Sequence, residues 1–405
     1  MGALSHIRVL DLSRVLAGPW ATQILGDLGA EIIKIEKPGE GDETRHFGPP
    51  FLKNQNGAKA DATYFLSANR NKKSVAIDLA NPEGAGLVKR LARRAHVVVE
   101  NFKTGSLAKY GLDYKSLSAE NPALIYCSLT GFGHSGPYKD KAGYDYLVQG
   151  MAGLMSITGQ PDGAPGAEPM KVGVAVSDLL TGLYTTIAIL AAVVHQGRTG
   201  EGQEIDMALF DCQTAALANQ ASNYLAGRMV PTRLGNAHPN IVPYQVFATA
   251  DGFLILAVAN DAQFRRFAKA AGIEHLAEDA RFKTNADRVH HRETLIPLLQ
   301  PVFAARKTAD WIALLEAANV PCGPINRVDQ VFADPQAIAR GLTISMAHAT
   351  GPLDLVASPL KLAKTPPDYR LPPPLLGEHT DEVLREVLEL EENVVRSLRE
   401  KSVIA

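Results

Sequence analysis

One aspartate stands alone in the most apolar stretch of this sequence: between Val172 and Val194, 23 residues, Asp178 is the single charged side chain. A carboxylate near a helix start can serve as an ordinary cap, accepting from free backbone N–H groups. The same setting, in which the helix dipole keeps the carboxylate ionised, also suits a nucleophile that forms covalent acyl intermediates. Residue type and position leave both readings open. The stretch is long enough to span a bilayer, but it carries Ser177, Thr181, Thr185, Thr186 and two glycines, with no basic or aromatic belt beside it. A buried core helix is therefore the expectation, because length alone is a weak criterion.

Other chemistries find little support. No GxGxxG follows the first strand-like segment, and GxxxxGK[ST], HExxH and GxSxG are absent. Gly131 to Gly136 (GFGHSG) fits a tight turn as well as a ligand-facing loop. The eleven histidines are scattered, and His290-His291 lies among charges, as on a solvated helix face, so no metal site is expected. Cys127, Cys212 and Cys322 are odd in number, far apart and without a CxxC, which fits a reducing cytoplasm better than a disulfide framework. With 41 basic and 43 acidic residues the net charge is −2, so neither nucleic acid nor an anionic membrane is an expected partner. Basic residues do recur in the loops: Arg14, Lys37, Arg45, Arg70, Lys72, Lys73, Lys103 and Lys109. Singly, each reads as a solvated charge; clustered on one sheet edge they would suit a ligand with several phosphates.

The elements that must position these residues follow from periodicity. Strand-like Ile7–Leu12, Ala30–Glu36, Ser74–Asp78, His96–Glu100 and Ala123–Leu129 alternate with helix-like segments from Trp20 to Leu28 and from Pro82 to about Ala95. That alternation predicts βαβ units and a largely parallel sheet, whose ligands sit at the carboxyl ends of its strands. A strand Gly202–Ala208 and a helix Phe210–Leu225 come after the long apolar segment. Near Gly227 the texture changes. Pro243–Ala250 and Phe253–Ala259 around Asp251-Gly252 read as a hairpin, and helical patterns follow at 261–271, 292–306 and 308–318. Proline-rich Thr365–Pro374 reads as a linker, with a charged helix from about Thr380. No secretory or transit segment is expected, since strand-like sequence begins by Ile7.

Several segments together resemble the class III CoA-transferases (CaiB/BaiF type), the family of formyl-CoA transferase, carnitine CoA-transferase and the α-methylacyl-CoA racemases. They are VLDLSRVLAGP (9–19), LGAEIIKIEKPGEGDETR (28–45), NRNKKSVAIDL (69–79), VVVENFKTG (97–105), NPALIYCSLTGFGHSGP (121–137) and RTGEGQEIDMALFD (198–211), with VPCGPIN (320–326), VFADPQ (331–336) and PPPLLGEHTDEVL (372–384) further on. Each is loose, but their number and order cover nearly the whole chain. The resemblance implies an α/β fold with a Rossmann-like parallel-sheet large domain and a small α+β domain, in an interlocked homodimer. On that frame residues 1–226 form the large CoA-binding domain, 227–328 the small domain, and 329–405 a linker and a part returning to the large domain.

The family's catalytic aspartate falls in GVAVSDLLTGLY (173–184), at Asp178. The implied chemistry moves CoA from an acyl-CoA, here succinyl-CoA, to a small acid through aspartyl anhydride and aspartyl-CoA intermediates, without a tightly bound cofactor. The racemase branch is the alternative. Its proton-transfer histidine belongs to an AGHD motif, whereas this chain has Ala142-Gly143-Tyr144-Asp145, and a phenol titrating near ~10 is a poor substitute for an imidazole. Tyr144 is thereby expected to contact CoA or substrate. By matched position Val15, Ala17 and Gly18 border the pantetheine and thioester, Asn101 and Phe102 contact CoA, and Lys37 and Lys109 replace phosphate-binding arginines without their bidentate fork. Arg14 stands where formyl-CoA transferase has histidine and Leu16 where it has glutamine; Arg14, Lys72 and Lys73 are further CoA candidates. The RLGNAHPNIVPYQVF segment (233–247) most resembles the succinyl-CoA:glutarate and related dicarboxylate enzymes, which makes Arg233 and His238, backed by Arg45, the candidates for a distal carboxylate. The Gly131–Gly136 turn and the 235–240 loop are the candidate sources of oxyanion donors.

Overall fold

The computed structural model describes residues 2–54 and 56–405. By its internal contacts the chain divides into two units: 1–154 with 172–221 and 336–405, and 155–171 with 222–335. Residues 155–171, which the sequence reading placed in the large domain, pack with the second unit.

The first unit is built on six parallel strands in the order Lys72–Ala76, Glu31–Glu36, Arg8–Asp11, Val97–Glu100, Ile125–Thr130, Gln203–Ala208. Strand residues alternate between two cores. Val9, Ile32, Val97 and Val99 face one way with Leu25 and Ile189. Leu10, Ile33, Val75 and Val98 face the other with Leu87, Leu91, Val383 and Leu398. Burial on both faces is what a parallel sheet covered by helices demands. The second layer comes from helix Pro82–Arg93 and from helices Thr380–Glu386 and Glu392–Glu400 at the other end of the chain. Pro82–Arg93 starts cleanly because Asn81 accepts from the Glu83 N–H at 2.9 Å and proline opens the first turn.

The apolar segment forms the 24-residue helix Val176–Thr199. It is long and apolar enough to cross a membrane by length and composition, yet one stripe of it (Ser177, Thr181, Thr185, Ile189 and Ala192) is buried inside the unit. Its main partner is helix Ala17–Asp27. Gly182 permits the approach: a Cβ there would lie 2.8 Å from the Ala17 carbonyl oxygen. The expectation of a buried core helix holds for that stripe, while Leu183, Tyr184, Ile187 and Val194 are exposed. The predicted helix 210–225 is likewise two, Leu209–Ala215 and Ala218–Leu225, broken where Ala218 takes a φ of 47°.

The second unit carries an antiparallel sheet in the order Cys322–Pro324, Phe253–Ala257, Tyr244–Ala248. The Asp-Gly turn closes through Thr249 N–H to the Gly252 carbonyl at 2.9 Å. Helices Asp261–Ala271, Arg292–Ala304 and Thr308–Ala317 pack on the sheet around Phe303, whose ring stacks on Phe247 at 4.3 Å and meets Trp311 at 4.9 Å.

Candidate active site

Strand order reverses between Arg8–Asp11 and Val97–Glu100, which opens a crevice at their carboxyl ends. A cavity of about 590 Å³ fills it, walled by Arg14–Ala17, Asn101–Thr104, Leu129–Gly131, Lys139–Asp145, Leu209 and Asp178. A second, of about 330 Å³, continues along the same edge behind the strands Glu31–Glu36 and Lys72–Ala76. Arg14, Glu43 and Phe102 line both cavities. Arg14 is ion-paired with Glu43 and sits 4.9 Å over the Phe102 ring, so these three side chains form the partition.

The loop after the first strand is pinned from beneath. Buried Asp11 accepts from Ser13 N–H (2.9 Å), Thr22 Oγ1 (2.6 Å) and Lys72 Nζ (3.2 Å). Asp42 accepts from Lys34 Nζ at 2.9 Å and from the Val15 N–H at 3.2 Å. Burial pushes the Asp42 carboxyl up, but the Lys34 charge and two bonds from Thr44 outweigh it and hold it at about 2. Val15 is thereby kept at a φ of 69°, a costly conformation for a β-branched residue. Asn101 completes the loop: its Oδ1 accepts from Arg14 N–H at 2.9 Å and its Nδ2 donates to the Arg14 carbonyl at 2.7 Å.

Asp178 lies in the first turn of its helix, half-buried in the cavity wall. The expectation that free N–H groups keep it ionised is corrected. Those donors are taken by Asp145, whose Oδ1 accepts from Ser177 N–H at 2.8 Å and Asp178 N–H at 3.4 Å. Burial first, and the adjacent Asp145 charge second, push the Asp178 carboxyl up to about 7. Asp145 is fixed in turn by Gln149, which donates to its Oδ2 at 2.7 Å and accepts from Val172 N–H at 2.9 Å. Ser177 Oγ donates to Gln213 at 2.9 Å. Gly131 and Gly143 make this possible, because a Cβ on Gly143 would stand 2.1 Å from the Gly131 Cα.

The proposed ligand residues fall into three groups. Arg14, Val15, Ala17, Asn101, Phe102 and Tyr144 wall the larger cavity, Tyr144 being 72% exposed. Lys37 is exposed at the second cavity, paired with Glu40 at 2.6 Å, and Lys109 lies over the ring of Tyr110 in its wall. The others lie elsewhere. Gly18 packs on Ser13, where a Cβ would meet Ser13 Cβ at 2.3 Å, so it tightens the loop instead of admitting a ligand. Lys72 is fully buried on Asp11, Asn69 and the Pro19 carbonyl, and Lys73 is paired with Glu31 and Glu382. Both begin their strand, and neither lines a cavity; the Lys72 ammonium reaches back beneath the loop after the first strand. Arg45 is buried between Glu36 and Asp61 and covers Phe65, so its fork is already occupied. In the second unit Arg233 is paired with Asp162 and donates to the Gln160 carbonyl, while His238 Nδ1 accepts from Asn240 N–H at 3.0 Å. Burial and the Arg292 charge lower the His238 pKa.

Of the two candidate sources of oxyanion donors, the 235–240 loop is largely spent and the Gly131–Gly136 turn only in part. Gly133 N–H donates to Thr130 Oγ1 and His134 N–H to Asp206, while Gly235, Ala237, His238 and Asn240 N–H groups bond within the second unit. Sequence reasoning missed Asp145, Gln149, Gln213, Glu43 and the cavity lysines Lys139 and Lys141. The KDKAGYD segment (139–145) held the only signal, a pair of lysines leading into the tetrad that ends at Asp145.

Comparison with known proteins matches this architecture. The model of CoA-transferase family III matches residues 4–380. The chain is 53% identical over 389 residues to a succinate–glutarate CoA-transferase of Agrobacterium fabrum, covering 96% of each chain. It is 42% identical to a human succinyl-CoA:glutarate CoA-transferase, over 99% of this chain and 90% of that one. A crystal structure of a CaiB/BaiF family protein from Brucella suis superposes with a TM-score of 0.85 at 49% identity, covering 95% of this chain and 99% of that one. Matched over almost its whole length by family model, relatives and solved structure alike, the chain belongs to CoA-transferase family III.

Proposed function

We propose that this protein moves CoA from succinyl-CoA to a small dicarboxylic acid of the glutarate type, with Asp178 as the covalent nucleophile. The observation that carries the reading is a carboxyl group in the wall of the switch-point cavity, pushed up to about 7. Such a carboxylate is more nucleophilic than an ordinary one and still substantially ionised near neutrality. The names of the relatives in Agrobacterium fabrum and human support the choice of donor and acceptor.

In this mechanism an Asp178 oxygen attacks the thioester carbonyl, the C–S bond breaks and CoA leaves as a thiolate, giving a mixed anhydride. The thiolate attacks the aspartyl carbonyl and expels succinate, leaving aspartyl-CoA. The acceptor carboxylate then attacks that carbonyl and releases the thiolate, which takes the acceptor acyl group and frees Asp178. No redox change or water is involved, so exclusion of water preserves the thioester energy. The acyl group and thioester belong in the larger cavity, where Lys103, Lys139 and Lys141 supply positive charge. The smaller cavity, with Lys37 at its lip and Phe102 and Tyr110 in its wall, suits the nucleotide end of CoA. Racemisation is disfavoured by Tyr144 at the histidine position of the racemase motif.

The working unit in this reading is a cytoplasmic homodimer of the interlocked kind. Exposed Leu183, Tyr184, Ile187 and Val194 on one helix, beside Tyr146 and Leu147, give it an apolar surface to cover. The decisive experiment incubates the protein with succinyl-CoA and a panel of acids. Glutarate-type acids should yield their CoA thioesters, Asp178→Ala should yield none, and hydroxylamine trapping should modify Asp178 in the wild type. Full transfer by Asp178→Ala would refute the mechanism, and sedimentation as a monomer at micromolar concentration would refute the dimer.

A further inference from the structure

Asp145 touches neither the thioester bond nor the acyl group in the mechanism above, yet it is built into the site as firmly as Asp178. One of its oxygens accepts both N–H groups at the start of the Asp178 helix, and the other accepts from Gln149, whose own carbonyl is held by the Val172 N–H. The Gly131–Gly143 contact fixes the backbone just before it. From these contacts we infer that Asp145 is a positioning residue that activates Asp178, withholding the helix-end donors from the nucleophile and holding a like charge beside it. The inference rests on the reading of Asp178 as the nucleophile.

The physical logic follows from charge. Helix-end N–H groups would normally stabilise an Asp178 carboxylate and blunt its attack. With Asp145 accepting those bonds, the free carboxylate is the least comfortable form of Asp178. Acylation removes its negative charge, so the repulsion is present before attack and relieved in the anhydride and in aspartyl-CoA. Binding energy is thus not lost to an overstabilised ground state.

Other titratable groups near the helix do not replace this role. Leu209–Ala215 offers Asp211 and Cys212, the latter hydrogen-bonded with Thr181, and Ile125–Thr130 offers Cys127. Gln203–Ala208 carries Glu204 and Asp206, and Ala17–Asp27 carries Asp27, which is paired with Arg70. The Tyr64 phenol is itself pushed up by burial and then by Asp178, Asp145 and Asp42. Lys139 and Lys141 line the same cavity. Of all these, Asp145 alone contributes a charge effect to Asp178.

The test measures pH profiles of succinyl-CoA transfer for wild type, Asp145→Asn, Asp145→Ala and Asp178→Ala. Asparagine keeps an oxygen to accept the Ser177 N–H but removes the charge. Asp145→Asn should lower kcat about tenfold with KM for succinyl-CoA within about twofold, and should move the acidic limb of kcat/KM down by about one pH unit. Asp145→Ala should move the limb the same way with a larger loss of kcat. An unmoved limb in Asp145→Asn, or damage confined to Asp145→Ala, would reduce Asp145 to a structural cap and overturn the inference. If Asp178→Ala is inactive in the same assay, that outcome leaves the nucleophile reading standing; if it is active, that reading falls first.

Discussion

Replacing Asp178 by asparagine should make the protein more stable and leave it inactive, and the gain should depend on pH. The carboxyl group is held at about 7 in the folded chain against an ordinary 3.8. A folded pKa above the unfolded one adds stability that is complete below pH 3.8 and is lost as pH rises through about 7. At pH 8 the ionised side chain therefore destabilises the native state, and asparagine of the same shape does not. At ~1.36 kcal/mol per pH unit the gap amounts to about 4 kcal/mol. Asp178 faces a cavity with solvent access, so screening brings the working figure to about 2 kcal/mol. For a chain of 405 residues, at ~2.1 cal/mol/K of unfolding entropy per residue, that is roughly 2–3 °C in Tm.

Thermal melts of wild type and Asp178→Asn at pH 8 and pH 5, without ligand, would measure it. The increment should be largest at pH 8 and should shrink by more than half at pH 5. An increment of the same size at both pH values, or a variant less stable than wild type at pH 8, would show that the carboxylate is not strained in its cavity. The reasoning about burial and Asp145 would then be wrong. Stability stored against function in this way is a familiar cost of active sites.

Lys72→Met should cost about 3–5 kcal/mol in a denaturant melt, because Asp11 is left buried without its cation, while KM for succinyl-CoA stays within about twofold; a raised KM with unchanged stability would restore Lys72 as a phosphate ligand. Arg14→Gln should do the opposite. Its ion pair with Glu43 is partly exposed and worth under about 1 kcal/mol, yet loss of the guanidinium from the partition between the cavities should raise KM for the CoA thioester about tenfold. Gly143→Ala should fold but lose at least about 100-fold in kcat, since backbone atoms 2.1 Å from the new methyl must move and carry Tyr144 and Asp145 with them; a variant with wild-type kcat would show that the crossing tolerates displacement.

The parallel sheet and the apolar helix that carries Asp178 were legible because their signals are local. Short apolar runs such as IRVLDL and HVVVE mark buried strands, and a lone charge in an apolar stretch singles out Asp178 while leaving cap and nucleophile both open. The misplaced residues depend on long-range partners. Arg45 carries the look of a ligand arginine until Glu36 and Asp61, 9 and 16 residues away, close on it. Lys72 and Lys73 open their strand, and in a parallel sheet the beginnings of strands lie at the edge opposite the crevice. That polarity was available from the strand reading, and clustering of charge in sequence obscured it. Asp145 was visible as a motif letter, but its work is to close a helix that begins 31 residues later.

The strand order is that of dinucleotide-binding folds, and the missing glycine fingerprint has a physical counterpart in the loop that replaces it. In the fingerprint, bare helix N–H groups receive a pyrophosphate. Here helix Ala17–Asp27 begins without a side-chain cap, and just before it the Val15 N–H is bonded to Asp42, with Glu43 alongside. A protein carboxylate already occupies the anion position, held there by Lys34 at 2.9 Å. A phosphate brought to that turn would meet two acids. The crevice therefore keeps the fold's location for a ligand while reversing its charge. In the proposed reaction the phosphates of CoA would fall instead to the lysines on the cavity rims, Lys37 at the smaller cavity and Lys103, Lys139 and Lys141 at the larger.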